Sequence, residues 1–377
     1  MCKIIYHSKY KLYDLGEGHP FDPLRAEMVL DLLKEYGIST ELISHEPVSL
    51  EMLLKIHNKE YVEVIEKLSE GISVDDAESF GLGTVDNPII KGMAEGARYQ
   101  CGGTLTGAQL IIQNKTKKVL QLGGGFHHAQ KNLASGFCIY NDLALAIKEM
   151  TDAGMYVAYL DLDVHHGDGV QKFFYADEKV MTISLHESGE YLFPGSGSIH
   201  ELGHGMGRSL KINIPLEPFT EGESYLAAID GIVEPALEWF RPDVMIVMAG
   251  ADAHFSDSLA DLMLTTIDYE KIFRKILDFA DRYSSGKVMF TLGGGYSITA
   301  TPRIWTILYL LLLNLEIPVK LPESWRQKWG NITGKTFPEF LHDPFPAYEP
   351  IPRKSEIEKH NKDTVRRIKD SVSRYWI

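Results

Sequence analysis

Cysteine is scarce in this chain, which has three in 377 residues: Cys2, Cys101 and Cys138. An odd number of widely spaced cysteines gives neither a disulfide framework nor the paired spacing of a thiolate zinc site. We therefore predict that the protein works in a reducing compartment. Charged residues interrupt the N-terminus early, which argues against a secretory signal peptide, so the expected location is the cytoplasm.

Basic clusters and long apolar runs are also rare. The formal net charge is −14, and lysines and arginines cluster only in the C-terminal helix, so the basic footprint that binds nucleic acid is missing. The longest apolar stretch, residues 304–313, is too short to span a bilayer and predicts a buried helix. We therefore expect neither nucleic acid nor a membrane as a partner. An acidic surface suits basic peptide substrates, but ordinary solubility explains it as well, and the oligomeric state is left open.

What the chain does contain is an alternation of apolar β-type runs and helical patterns, which is typical of a parallel sheet flanked by helices. The hydrophobic content of 44% supports a sizeable core. We predict a single α/β domain over residues 1–377, with a proline-rich segment and a charged helix at about 337–377 packed on it. The predicted strands are residues 118–122, 155–160, 180–185, 244–248 and 288–292, and the predicted helices are residues 23–36, 50–68, 140–150, 223–239 and 269–283.

Three groups that can bind metals follow the strand predicted at residues 155–160, in the sequence Asp161-Leu-Asp163-Val-His165-His166. Because side chains alternate across a strand, we expect Asp161, Asp163 and His165 to point to one face. Open α/β sheets bind their ligands at the carboxyl ends of the strands. An apolar strand that ends in this way is more typical of a metal or acid–base site than of packing.

Three other predicted strands end in loops rich in glycine and reactive side chains. Their sequences are Gly-Gly-Gly-Phe-His127-His128, Gly-Ala-Asp252-Ala-His254 and Gly-Gly-Gly-Tyr296. In a parallel sheet all of these loops meet at one edge. Triple glycines can also cradle phosphates, but neither run continues as a P-loop or completes a dinucleotide fingerprint. We therefore expect a site that presents side chains, and not a nucleotide site.

The carboxylates and imidazoles of these loops match the needs of a catalytic metal ion. A catalytic zinc takes about three protein ligands and keeps one position open. Asp163 and His165 supply two ligands, and Asp252 is the expected third. Fe²⁺ or another divalent ion would also suit this set. His127 and His128 would crowd the metal, and we interpret them as a general acid–base pair.

The remaining groups complete this interpretation. Asp161 and Asp168 are the carboxylates available to orient the two histidines, and Tyr296 would donate a hydrogen bond to a developing oxyanion. Cys138 is interpreted as a small buried residue and not as a nucleophile. For His254 a place beside the metal and a structural role both stay open.

Taken together, the motifs resemble those of histone deacetylases and of the related acetoin-utilisation deacetylases. The resemblance runs from about Tyr6 to the C-terminal helix, and the Asp-Ala-His form is similar to the acetoin-utilisation branch. It implies a three-layer arginase/deacetylase-like fold with a mostly parallel central sheet, helices on both faces and an active site at the carboxyl ends of the strands. The matching motifs are Gly-Gly-Gly-Phe-His127-His128-Ala, Gly136-Phe137-Cys-Ile-Tyr-Asn, Asp161-Leu-Asp163-Val-His165-His-Gly-Asp168-Gly, Gly-Ala-Asp252-Ala-His254 and Gly-Gly-Gly-Tyr296.

The resemblance also implies a role for individual residues. The implied zinc ligands are Asp163, His165 and Asp252; the implied acid–base pairs are His127 with Asp161 and His128 with Asp168; Tyr296 polarises the acetyl carbonyl; Gly136, Phe137 and Phe193 line a narrow channel for the acetyl-lysine stem; Asp86 holds the substrate backbone; and Arg25 lies near an internal cavity. A structural potassium ion is implied at Asp161, Ser184 and Leu185 with the backbone of Asp163 and His165, and a second at Phe174, Asp177 and Val180.

The activity implied by the resemblance is metal-dependent hydrolysis that removes acetyl groups from the ε-amino group of acetyl-lysine in proteins and releases acetate. Small acetylated amines such as acetylpolyamines are an alternative substrate class, because the chemistry is identical and only the channel rim differs. A non-enzymatic scaffold is a second alternative, but it should have lost a ligand, the histidine pair or the tyrosine. A two-metal arginase-type site would need further ligands where this chain has His127 and His128.

Overall fold

The computed structural model of the protein describes residues 2–376, which form an eight-stranded sheet surrounded by helices. The strands are β1 (Lys3–Ile5), β2 (Leu42–Ile43), β3 (Lys118–Gln121), β4 (Val157–Asp161), β5 (Val180–Glu187), β6 (Lys211–Leu216), β7 (Val244–Ala249) and β8 (Val288–Leu292). The α-helices are α1 (Arg25–Glu35), α2 (Leu50–Leu53), α3 (Lys59–Ser69), α4 (Met93–Ile112), α5 (Asp142–Asp152), α6 (Asp168–Phe173), α7 (Gly222–Ala228), α8 (Glu234–Phe240), α9 (Thr266–Tyr283), α10 (Thr301–Leu312), α11 (Glu323–Thr333) and α12 (Lys354–Val372).

The order of the strands places the functional loops side by side. The sheet runs β2-β1-β3-β8-β7-β4-β5-β6, and all of its pairings are parallel. The four strands whose loops carry the candidate catalytic residues, β3, β8, β7 and β4, are therefore consecutive. Their carboxyl ends lie at the same edge, where parallel sheets hold their ligands.

Each central strand packs against helices on both faces. In β4 every residue is buried; Ala158 and Leu160 belong to one core, and Val157 and Tyr159 belong to the other. Side chains of α1, α9 and α10 fill the first core, and those of α3, α4 and α5 fill the second. Burial of both faces explains why these strands are continuous apolar runs. The predicted three-layer α/β fold is confirmed.

The helix predicted over residues 50–68 is wrong as one element. It is interrupted between α2 and α3, and the break turns the chain toward the loop after β3. There the ring of His57 bonds the carbonyl of Gln130 at 2.9 Å and accepts the amide of Asn141 at 3.0 Å. Three tertiary hydrogen bonds, including one from the Asn58 amide to the Lys131 carbonyl at 2.9 Å, outweigh the continuous amphipathic pattern.

The C-terminal segment packs on the edge of the sheet next to β6. Asn361 of α12 donates to Thr220 at 2.7 Å and accepts from the backbone of Glu217 at 3.0 Å. Ile368 and Val372 are buried in the first core. These contacts support the proposal that the tail belongs to the same domain as the sheet.

The apolar stretch near residue 304 forms α10, and all twelve of its residues are buried. Within residues 2–376, no helix is both long enough and apolar enough to cross a membrane.

The packing of the loop after β3 can be tested at Gly125, with Gly154, which follows α5, as a comparison. Both glycines have positive φ. Gly125 has φ +78°, and a Cβ added there would lie 2.1 Å from the carbonyl oxygen of Leu292; Gly154 has φ +89° and nothing within 4 Å. Gly154→Ala should lower the free energy of unfolding by about 1–2 kcal/mol through backbone strain alone. Gly125→Ala should cost about 1–3 kcal/mol more, because the neighbouring strand must move. Urea unfolding of both variants would show this difference, and equal losses would contradict it.

Candidate active site

The central feature of this edge is a buried group of two carboxylates and one imidazole. Asp163, His165 and Asp252 are all buried, and their ligating atoms lie within 4.8 Å of one another. The Nδ1 atom of His165 is 3.1 Å from Asp163 Oδ1 and 3.4 Å from Asp252 Oδ2. Residues from the ends of β4 and β7 therefore meet as the sequence led us to expect.

Backbone amides fix the outer oxygens of this group and leave one oxygen free. Val164 donates its amide to Asp252 Oδ1 at 2.9 Å, and Gly294 donates its amide to Asp163 Oδ2 at 2.9 Å. Asp252 Oδ2 is buried and has no hydrogen-bond partner. A Cβ at Gly294 would lie 1.9 Å from that oxygen. An unpaired buried carboxylate oxygen is costly, so the set fits a cation held between the two carboxylates and His165.

The pKa values of the group reflect its crowding. Burial, and next the charge of Asp163, raises the pKa of Asp252 to about 8. Burial lowers the pKa of His165, but the two carboxylates outweigh it and raise that pKa to about 10. The group therefore retains protons where a divalent ion would require fully ionised carboxylates and a neutral imidazole. Metal binding at this position should release protons.

His127 and His128 lie beside the group, and each is oriented by a carboxylate. The Nδ1 atom of His127 is 2.9 Å from Asp161 Oδ2, and the Nδ1 atom of His128 is 2.7 Å from Asp168 Oδ1. The Nε2 atom of His127 is 3.8 Å from Asp163 Oδ1. The expected pairings are thus present in the geometry.

The two histidines differ in protonation. Burial lowers the pKa of His127, but Asp161 and Asp163 overcome it and raise that pKa to about 9. Burial, and next the charge of His127, lowers the pKa of His128 to about 4. Near neutral pH one ring is charged and its neighbour is neutral, which is the separation that divides acid and base roles in active sites.

A second layer of hydrogen bonds, which the sequence analysis missed, orients these carboxylates. Tyr159 donates its hydroxyl to Asp161 Oδ2 at 2.6 Å, and Gln130 donates its side-chain amide to Asp168 Oδ2 at 2.8 Å. Strand alternation could have indicated Tyr159, because it lies two residues before Asp161 on the same face. No pattern marks Gln130.

Aromatic rings border the approach to this group. Phe193 packs against His128 with ring centroids 5.0 Å apart, and Phe137 packs edge-on against Tyr296 at 5.6 Å. Phe193 remains 42% exposed. Gly136 has φ +52°, and a Cβ there would lie 2.4 Å from the ring of His128. The two phenylalanines contact different members of the cluster, and their role as opposite walls of a narrow passage stays a prediction.

Asp86 lies at the surface near this passage. Burial lowers the pKa of His19, and the charge of Asp86 is among the effects that oppose this shift. The ring of His19 packs edge-on against Phe137 at 4.4 Å. The structure thus connects Asp86 to the passage wall through one intervening histidine.

Tyr296 is held by its backbone and keeps its phenolic proton. Its amide donates to Asp257 Oδ2 at 2.7 Å, a contact that no sequence pattern indicates. Burial, and next the charge of Asp163, raises the pKa of Tyr296 well above its ordinary value. Arg25 fixes the same loop by donating to the carbonyls of Gly293 at 3.0 Å and Gly295 at 2.8 Å. It also lines a small, partly open pocket of about 30 Å³, and the internal cavity that the resemblance implies stays a prediction.

His254, whose role the sequence leaves open, and Cys138, which the sequence predicts to be a small buried residue, both have structural positions. His254 bonds Asp343 Oδ2 at 2.9 Å, and Arg303 donates to the other oxygen of that carboxylate at 2.9 Å. His254 therefore supports the C-terminal segment and is not directed at the metal-binding group. Cys138 is buried, which raises the pKa of its thiol well above the ordinary value. This thiol is unsuited to act as a nucleophile.

The two potassium sites implied by the resemblance differ in outcome. Asp161 and Ser184 are direct register partners on β4 and β5, so the first site stays a prediction with its residues adjacent. At the second site the ammonium of Lys211 donates to the carbonyls of Val180 and, at 3.3 Å, Asp177. These residues do not fit a second potassium ion, because a cation of the chain already lies among them.

Comparison with known proteins agrees with this geometry. A family model described as a histone deacetylase domain matches residues 19–312. The acetoin utilization protein AcuC of Bacillus subtilis is 39% identical over 366 residues, which cover 96% of this chain and 95% of the relative. Its counterpart from Staphylococcus aureus is 38% identical over 95% of this chain and 94% of the relative. The crystal structure of an HDAC homologue from Aquifex aeolicus superposes with a TM-score of 0.87 at 29% identity, covering 98% of this chain and 99% of that one.

The fold and the cluster at the carboxyl edge define an α/β protein of the arginase/deacetylase class. The comparisons place it more narrowly. The chain belongs to the histone deacetylase family, and within it the chain is AcuC-like.

The raised pKa of His127 predicts how the stability of the metal-free protein depends on pH. A histidine whose folded pKa is about 9, against an ordinary 6.5, stabilises the fold fully below pH 6.5 and loses that contribution as the pH rises through 9. The loss is on the order of 3 kcal/mol. In chelator, urea unfolding of the wild type at these two pH values should show a larger loss than that of His127→Asn. The surface variant His200→Asn should match the wild type, and an unchanged pH dependence in His127→Asn would contradict the assignment.

Proposed function

We propose that this protein removes acetyl groups from the ε-amino group of lysine side chains in acetylated proteins, by hydrolysis of the amide bond. The observation that carries this proposal is the buried carboxylate–histidine cluster of Asp163, His165 and Asp252. Phe193 packs against His128 and Phe137 packs against Tyr296, and we propose that these two rings form the walls of a passage to the cluster. The unbranched aliphatic stem of acetyl-lysine suits two aromatic walls. The polar end of the stem would arrive where acid, base and oxyanion donor are already positioned.

One divalent ion would be held by Asp163, His165 and Asp252, and Zn²⁺ suits these ligands, with Fe²⁺ as an alternative. When bound, it would supply Lewis-acid polarisation of the acetyl oxygen and a lowered pKa for water. The unpaired buried oxygen of Asp252 supports this assignment.

His128 is the group best suited to take a proton from the attacking water. Burial and the neighbouring charge keep its ring neutral, and Asp168 holds Nδ1 so that Nε2 is the free basic atom. After the attack, the protonated ring can give the same proton to the departing amine. His127, oriented by Asp161 at 2.9 Å, would stabilise the negative charge that develops beside it.

Tyr296 would donate its hydroxyl to the oxyanion of the tetrahedral intermediate. Because its pKa lies well above the ordinary value, the phenol keeps its proton at any pH at which the enzyme works. Its ring is fixed against Phe137, and its backbone is fixed by Asp257. A donor that is already oriented contributes more than one that must reorganise.

The surroundings support a protein substrate in a reducing compartment. Asp86 adds negative charge near the passage, and the chain as a whole has a formal charge of −14, which favours basic segments around an acetylated lysine. All three cysteines are free and buried. We therefore include a cytoplasmic location in the proposal.

A deacetylation assay with and without metal tests this proposal. Protein treated with chelator should release no acetate, and addition of Zn²⁺ or Fe²⁺ should restore release from acetyl-lysine peptides. N-acetylated polyamines, assayed in parallel, would identify the alternative substrate class if they are cleaved with higher kcat/KM. Protein that binds metal in the proposed site but releases acetate from neither class would refute the proposal and favour a scaffold.

Tyr296→Phe isolates the oxyanion donor. Loss of one such donor should lower kcat about a hundredfold or more, while the bound metal, measured by elemental analysis, stays the same. Tyr191→Phe is the matched control, since Tyr191 lies two residues before Phe193 and is 60% exposed; its activity should be close to wild type. Full activity in Tyr296→Phe would remove that residue from the mechanism.

A further inference from the structure

Lys211, the first residue of β6, is completely buried, with 0% of its surface exposed. Lysine is almost never fully buried unless it is paired. Among the described residues, no carboxylate lies within salt-bridge distance of its Nζ. The Asp177 carboxylate accepts the amide of Lys179 at 2.8 Å, and its charge partly opposes the lowering of the pKa of Lys211 by burial. The partners of the ammonium are instead main-chain carbonyls.

Those carbonyls belong to the turn that connects α6 with β5. Nζ donates to the carbonyl of Val180, the first residue of β5, and at 3.3 Å to the carbonyl of Asp177. The turn is closed by a hydrogen bond from the Asp177 amide to the carbonyl of Phe174 at 3.0 Å. Carbonyl oxygens in such a turn are acceptors for either an ammonium or a hard monovalent ion.

The loop that covers Lys211 leaves room for its stem. A Cβ at Gly203, which has φ +79°, would lie 2.9 Å from Lys211 Cγ and 2.4 Å from the carbonyl of Gly207. Any larger residue at position 203 would therefore collide with the lysine or with the loop backbone. The buried position of this side chain thus depends on its neighbours as well as on its own strand.

We infer that Lys211 is a tethered cation that replaces a bound potassium ion at the carbonyls of Asp177 and Val180. A mobile ion and this ammonium cannot share the same acceptors, because two positive charges would meet in a buried space. Because the ammonium belongs to the chain, the turn does not depend on ions from solution. The ammonium also fixes the turn that follows α6, the helix whose first residue is Asp168, the partner of His128.

A cation held in this way is costly, and the contacts must offset that cost. Burial lowers the pKa of Lys211 to about 7. Experiments on the ammonium are therefore best done below this pH, where the charged form predominates. Replacing Lys211 with methionine removes its contacts to the two carbonyls.

Lys211→Met keeps the stem and removes the charge. Thermal unfolding would be compared in potassium chloride and in choline chloride at equal ionic strength. Potassium should raise the melting temperature of Lys211→Met by about 3 °C or more beyond its effect on the wild type, because the freed carbonyls can accept the ion. If potassium also raises the melting temperature of the wild type, that rise reports the first predicted potassium site. Subtracting it from the rise in Lys211→Met leaves the effect of the freed carbonyls.

Lys179→Met is the matched control, since it removes a lysine from the same turn without touching the two carbonyls, and it should respond to potassium as the wild type does. If potassium raises the melting temperature of Lys211→Met no more than that of the wild type, the inference is overturned. If that variant does not fold, wild-type crystals soaked in rubidium chloride decide the question. No anomalous signal is expected between the carbonyls of Asp177 and Val180, and a rubidium peak there would overturn the inference.

Discussion

Two carboxylates, Asp163 and Asp252, are buried side by side at the carboxyl edge of the sheet, and this negative charge determines the arrangement around it. Neither can be ionised without positive charge nearby, so the pKa values of His127 and His165 are raised well above 6.5. The neutralisation of Asp252 by the protein's own groups is incomplete: its Oδ2 lies 3.4 Å from His165 Nδ1 without a hydrogen bond, and its pKa is raised to about 8. A divalent ion would complete it, and it would also ionise both carboxylates fully.

The loops that carry these groups are held by hydrogen bonds between buried side chains and backbone. Asp142 accepts the amides of Gly125 at 3.0 Å and Phe126 at 2.8 Å, just before the histidine pair. Arg25 bonds two carbonyls of the glycine loop before Tyr296. The glycines let these loops approach one another closely, and the charged anchors prevent the movement that glycine would otherwise permit. Such loops present catalytic groups with little reorganisation, which is the condition for effective oxyanion stabilisation.

The sequence predicted the elements whose pattern is imposed by burial and missed those decided by tertiary contacts. β4, β7 and β8 are covered on both faces, so their apolar runs were read correctly. β6 was missed because it contains Lys211, Asn213 and Pro215, which are poor strand residues. It forms at the sheet edge, where a proline costs no ladder hydrogen bond. Asp163, His165 and Asp252 were predictable from strand ends alone, whereas Gln130 and Asp257 depend on loop contacts that no local pattern encodes.

The buried cations of this protein are of two kinds, and the difference follows from their acceptors. At two places where the acceptors are neutral carbonyls, the chain supplies the positive charge itself: Arg25 bonds the glycine loop, and Lys211 bonds the turn between α6 and β5. Such a cation needs no open position, because its task is only to hold backbone. Where the acceptors are the carboxylates Asp163 and Asp252, a tethered side chain would fill the space that substrate and water must enter. An exchangeable ion is therefore favoured where the chemistry requires an open side, and a side-chain cation is sufficient where the task is only to hold backbone.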